Sequence, residues 1–73
     1  MQDTTYHNFF KKNKFYRTAE GDIGRLAYQT EDRISLEMSS AEVEIHKLKE
    51  VALTKLTEKQ KKEWYEEYVI SKL

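Results

Sequence analysis

Seventy-three residues without a single cysteine or proline make one small domain and exclude a disulfide scaffold or a thiolate metal site. Thirteen basic side chains balance thirteen acidic ones, which excludes the overall basic excess of a dedicated nucleic-acid reader. A charged fraction of 36% and a mean hydropathy of −0.89 leave no apolar run long enough to span a bilayer, and the N-terminus lacks the basic-then-apolar order of a signal peptide, so a cytoplasmic chain with no membrane partner is expected.

A folding chain of this size hides only about 60% of the surface that its unfolded form exposes, so the core has to be aromatic. One Trp, three Phe and five Tyr supply it. The charges cancel unevenly. Lys11, Lys12, Lys14 and Arg17 face Asp3 at the start; Glu20, Asp22, Glu31, Asp32, Glu37, Glu42 and Glu44 dominate the middle; lysines exceed glutamates in the last third.

Tyr6, Phe9, Phe10 and Asn13 share one helical face, and Asp3, Thr4 and Thr5 are suitable caps, which predicts a first helix over residues 4–12. Asn13 suits the left-handed conformation that ends a helix, and residues 13–17 form a turn that folds Phe15 and Tyr16 back over the core. The central segment of the chain is Gly21-Asp22-Ile23-Gly24-Arg25-Leu26-Ala27-Tyr28-Gln29-Thr30-Glu31-Asp32. At about 100° per residue Ile23, Leu26, Ala27 and Thr30 fall in one stripe, which predicts a central helix capped by Thr18, with the glycines marking close approach of another backbone.

Arg33-Ile34-Ser35-Leu36-Glu37-Met38 alternates polar and apolar, a strand pattern without a second strand to pair with, and is read as an extended connector. Ser39-Ser40-Ala41-Glu42 reads as a capping box opening a third helix with Ala41, Ile45, Leu48 and Ala52 as its stripe. Thr57-Glu58-Lys59-Gln60 is a second capping box, opening a fourth helix whose apolar face is Trp64, Tyr65, Tyr68 and Val69. The expected fold is therefore all-α, a bundle of about four short helices in one domain over residues 1–73. Its expected core is Tyr6, Phe9, Phe10, Ile23, Leu26, Ala27, Ile45, Leu48, Trp64 and Tyr68.

Tyr6 to Phe10, then Asp22-Ile23-Gly24-Arg25-Leu26-Ala27, then Trp64-Tyr65-Glu66-Glu67-Tyr68 resemble the YozE family of small bacterial proteins in order and spacing over nearly the whole chain. The resemblance implies a sterile-alpha-motif-like helical fold. Members of that family tend to carry a Phe-Pro-Lys turn where this chain has Arg33-Ile34-Ser35, and no catalytic or ligand residue carries over.

On a helix, His46 would lie one turn from both Glu42 and Glu50, but two glutamates and an imidazole are also an ordinary solvated face, and zinc sites take three or four ligands. His7 is less specific still. Ser39 and Ser40 are explained by capping, and no nucleophile, base and orienting acid assemble, so no enzyme, cofactor or small-molecule substrate is expected. Gly21-Asp22-Ile23-Gly24 is a poor match to a phosphate-binding hairpin, since Asp22 stands where a phosphate would approach. Two binding readings remain. Lys11, Lys12, Lys14 and Arg17, interleaved with Phe15 and Tyr16 and extended by Lys59, Lys61 and Lys62, suit a nucleic acid. The favoured expectation is a protein partner, held through opposed basic and acidic surfaces and exposed tyrosines such as Tyr16, Tyr28 and Tyr65.

Overall fold

Rings at Tyr6, Phe9 and Phe10, which share one helical face, and not intrinsic propensity, set α1 over Thr4–Lys12 in the computed structural model, which describes residues 4–73. Asp3, one of the expected caps, lies outside the described residues. Asn13 ends α1 by donating from Nδ2 to the Phe9 carbonyl at 2.8 Å, and it does so without the left-handed backbone expected of it. The chain then departs from the helical expectation. It runs through β1 (Phe15–Arg17), β2 (Ile23–Gln29), β3 (Arg33–Met38), β4 (Val43–Lys47), a 3-10 turn (Leu48–Glu50) and β5 (Ala52–Thr54) before α2 (Glu58–Ser71). Among the described residues the strands form one antiparallel sheet in the order β4-β3-β2-β1-β5, so the all-α bundle, and with it the sterile-alpha-motif-like fold, is replaced by a five-stranded sheet with two helices.

The helix expected over residues 23–30 is β2 because both faces of its first half, residues 23–26, are covered. Ile23 joins Phe15, Leu56, Trp64, Phe9, Phe10 and Tyr68 on the side of the helices, whereas Leu26 joins Ile34, Leu36, Met38, Tyr16, Leu48 and Val51 on the other. A strand buried on two sides shows no clean alternation, and a bulge at Ala27, where the register with β3 shifts between Leu26 and Tyr28, disturbs the period further. Thr18 is not a helix cap. Its N–H donates to the Asp22 carbonyl at 2.8 Å and its hydroxyl accepts from the Asp22 N–H, closing the β1–β2 turn.

Residues 33–38, expected as a connector, are the centre of the sheet's second half: β3 pairs with β2 on one side and β4 on the other, and Ile34 and Leu36 are the largest fully buried side chains among the described residues. The third helix is absent as well. Ser39-Ser40-Ala41 is a three-residue hairpin loop between Met38 and Glu42, in which the Met38 N–H donates to the Glu42 carbonyl and the Ala41 N–H to the Met38 carbonyl, both at 2.8 Å. The β1–β2 turn repeats this pattern, with Gly21 donating to Thr18 at 2.9 Å, so Gly21 and Ala41 hold equivalent positions at φ +91° and +71°. Of the expected core, Trp64 is buried; Tyr6, Phe9, Phe10, Ile23, Leu26, Leu48 and Tyr68 are half-buried; Ala27 and Ile45 are exposed. The fourth helix forms as read. Thr57 accepts from the Gln60 N–H at 3.1 Å while the Gln60 side chain accepts from the Thr57 N–H at 2.9 Å.

Two glycine exchanges separate the sheet from a helix by sign. In a helix Ala41→Gly would cost about 1 kcal/mol and Gly24→Ala would gain about as much. In the sheet, Ala41→Gly relieves a left-handed backbone and is expected to raise stability by about 0.5 kcal/mol. A Cβ on Gly24 would lie 2.7 Å from Met38 Sδ and 2.8 Å from Leu36 Cβ, so Gly24→Ala is expected to lose about 1–3 kcal/mol. Urea denaturation of both variants reads the two signs.

Candidate interaction surface

Among the described residues β4 has no strand beyond it, and Val43-Glu44-Ile45-His46 alternates apolar and polar before Lys47 adds a charge to the apolar face, so the two faces of the strand differ in chemistry. Register pairs Val43 with Glu37 and Ile45 with Ser35, and Ser35 in turn with Tyr28 of β2, which sets Tyr28, Ser35 and Ile45 in one row across three strands. This row lies on the face that carries α2, but α2 engages that face at Glu37, through Tyr68 and Lys72, and Tyr28 and Ile45 are left uncovered by the described residues, with Ser35 half-buried between them. Tyr28 is 67%, Val43 61% and Ile45 69% exposed, against 6% for Trp64. Ile45 was expected inside a helix stripe. The opposite face of β4 carries Glu44 and His46, whose Nε2 lies 2.9 Å from Glu44 Oε1. The juxtaposition of Glu42, His46 and Glu50 on one helix therefore does not arise.

The backbone of this edge has a defined phase. Met38 N–H bonds to Glu42 O, and Leu48 N–H to Asp32 O, at the two ends of the β3–β4 ladder. Antiparallel pairs alternate between bonded and non-bonded, so residues 42, 44, 46 and 48 turn their N–H and C=O groups towards β3. Val43, Ile45 and Lys47 consequently turn theirs outward.

A polar cluster around the buried Glu37 acts as a clamp. Glu37 is buried on β3, where its Oε1 accepts from Arg25 Nε at 3.1 Å, from Arg25 Nη2 and from the Tyr68 hydroxyl at 2.9 Å, while Oε2 lies 3.4 Å from Lys72 Nζ. Arg25 Nη1 also donates to Asn13 Oδ1 at 3.2 Å, so one cluster ties the sheet to the ends of both helices. Burial pushes the Glu37 carboxyl up, but the hydrogen bonds from Arg25 and Tyr68 and the charges of Arg25 and Lys72 outweigh it and leave the group below its ordinary 4.5. A depressed carboxylate stabilises the fold above the unfolded-state value, and that contribution is lost as pH falls through the folded one. Acid titration of stability is therefore expected to show a loss below about pH 4.5 that Glu37→Gln, weaker at neutral pH, no longer shows. The same Tyr68 hydroxyl and the Glu37 charge raise the exposed Lys72 ammonium above its ordinary value.

The basic residues divide. Lys11 and Lys14 line two grooves of about 370 and 390 Å³ that meet at Phe10 and Lys61 beside β5, together with Lys55. Arg17 reaches the same strand, its Nη2 donating to Thr54 Oγ1 at 3.5 Å. Lys12, Lys59 and Lys62 are exposed and line neither groove. Lys55 was not anticipated, because its approach to Lys14 follows from β5 pairing with β1. Of the tyrosines expected at the surface, Tyr28 is exposed, whereas Tyr16 and Tyr65 are half-buried, Tyr65 edge-on to Tyr6 at 5.1 Å. Among the described residues no helix is long and apolar enough to cross a membrane. No family model matches this chain, and no curated protein or solved structure matches it either.

Proposed function

We propose that this chain is a non-catalytic protein-interaction module of the cytoplasm that takes an extended segment of a protein partner along β4. The observation that carries the reading is the bare apolar row Tyr28 and Ile45, flanked by Val43, beside an edge whose N–H and C=O groups face outward. Natural sheets blunt such edges with charge, proline or a covering element; here Lys47 is the one charged residue among the three outward-facing positions. Neither a cofactor nor a small-molecule substrate belongs to this reading. The buried carboxylate, Glu37, spends its lone pairs on Arg25, Tyr68 and Lys72 and is not poised as a general base. The YozE resemblance stands as a proposal of kinship, resting on the quoted motifs, and adds no function.

A benzophenone amino acid placed at Tyr28, with Glu66 as a control position, tests the reading in the producing cells. A protein adduct is expected from position 28, absent from position 66 and lost in the Ile45→Lys background. No adduct from position 28 would overturn it.

The second reading, a nucleic-acid contact, is favoured by the convergence of Lys11, Lys14, Lys55 and Lys61 around Phe10. Oligonucleotide titration at about 50 and 200 mM salt separates the two, since several phosphate contacts shift affinity by orders of magnitude over that range. Micromolar binding at low salt that Lys14→Glu and Lys61→Glu abolish would replace the protein-partner reading.

A further inference from the structure

We infer that the segment received by β4 is β4 of a second copy of this chain, joined antiparallel about a two-fold axis through Ile45; the inference rests on the edge-binding reading above. It follows from the phase of the edge. Residues whose N–H and C=O groups face outward have to meet their like, so the permitted self-pairings set Val43, Ile45 and Lys47 against one another. Centring the axis on Ile45 pairs all five residues of the strand: Ile45 with Ile45, Val43 with Lys47, and Glu44 with His46. The three pairs of outward-facing residues would each exchange two backbone hydrogen bonds.

The neighbouring registers are poorer. Shifting the axis towards the start of the strand sets Glu44 against Glu44 of the other copy, and like charges directly opposite destabilise an antiparallel pair. Shifting it towards the end sets His46 against His46 and leaves Val43 and Glu44 without strand partners. In the Ile45 register the acid and the imidazole, already 2.9 Å apart within one copy, meet their opposites across the axis as well. On the helix-bearing face the row Tyr28, Ser35, Ile45 continues into its own copy, so the exposed Ile45 side chains cover each other and the Val43 side chain lies along the lysine stem. Such an interface is isologous, and it converts two five-stranded sheets into one of ten strands.

Sedimentation equilibrium of the purified chain from about 10 μM to about 1 mM, a range that reports dissociation constants tighter than millimolar, tests the inference. The average mass is expected to rise from 8.8 kDa towards twice that value. Ile45→Lys puts two cations on the axis and is expected to hold the chain monomeric throughout, with unchanged Trp64 emission showing that the fold survives. Glu44→Lys alone removes the carboxylate–imidazole contact across the axis and His46→Glu alone sets carboxylate against carboxylate; each is expected to weaken the dimer about tenfold, because every cross-strand contact occurs twice. The double exchange Glu44→Lys with His46→Glu sets opposite charges across the axis and is expected to recover the dimer.

A dimer indifferent to Ile45→Lys, or one that the double exchange fails to rescue, overturns the inference. A chain monomeric at about 1 mM overturns it too, and position 28 then separates the cases. An adduct with a different protein leaves the edge-binding reading standing, whereas no adduct removes both.

Discussion

Trp64→Ala is expected to be unfolded at about 37 °C, because truncating a buried tryptophan costs about 3–5 kcal/mol, which is comparable with the whole stability of a domain this small. The indole is the hub of the helix-side core. Its centroid lies 5.2 Å from Phe15, 5.7 Å from Phe9 and 4.9 Å from Tyr68, and its Nε1 donates to the Ile23 carbonyl at 2.8 Å. One side chain thus holds α2 to α1 and to β2 at once. Trp64→Phe keeps most of the apolar contact but leaves the Ile23 carbonyl unpaired, so it is expected to fold with about 1–3 kcal/mol less stability. Circular dichroism and urea melts measure both. An alanine variant as stable as the parent would remove Trp64 from the centre of the core.

The second large effect is expected at Leu36, on the other face of the sheet. Leu36→Ala opens a cavity in the cluster of Ile34, Leu36 and Met38 and is expected to cost about 2–5 kcal/mol. Ile45→Ala, on the next strand but exposed, is expected to change stability by no more than about 0.5 kcal/mol in the monomer. The contrast inverts the order that helical periodicity suggests, in which Ile45 is core and Leu36 belongs to a connector. Hydrogen exchange is expected to follow the sheet as well. Backbone groups of β3 are bonded to a strand on either side, so the amides of residues 33–38 are expected to exchange more slowly than those at the β4 and β5 edges.

Two similar local signals have opposite outcomes in this chain. Thr57-Glu58-Lys59-Gln60 closes its capping box as read, whereas Ser39-Ser40-Ala41-Glu42 becomes a hairpin loop in which the Ser40 hydroxyl accepts from the Glu42 N–H at 3.5 Å. The residues downstream of each box decide between helix and strand. After Thr57 the apolar residues Trp64, Tyr65 and Tyr68 recur at helical spacing; after Ser40, Val43-Glu44-Ile45-His46-Lys47 alternates, with β-branched residues at both apolar positions. That alternation was the legible signal for β4. It was masked because the apolar side chains of this strand point to solvent, not into either core.

By itself the sequence determined α1 and the start of α2, because a helix and its cap are closed by bonds between residues three or four apart, and it marked Trp64 for burial through its place on the apolar stripe of α2. The sheet was decided by tertiary structure. A strand is completed by partners far away in sequence: β5 pairs with β1, Arg25 finds Glu37, and Trp64 reaches across to the Ile23 carbonyl. Ile23 and Leu26 look like one helical stripe until the sheet sends them to opposite cores, and the exposure of Tyr28, Val43 and Ile45 exists only once β4 has been left at the edge. The candidate surface was therefore illegible for the same physical reason as the fold, since register, and not composition, sets which side chains share a face.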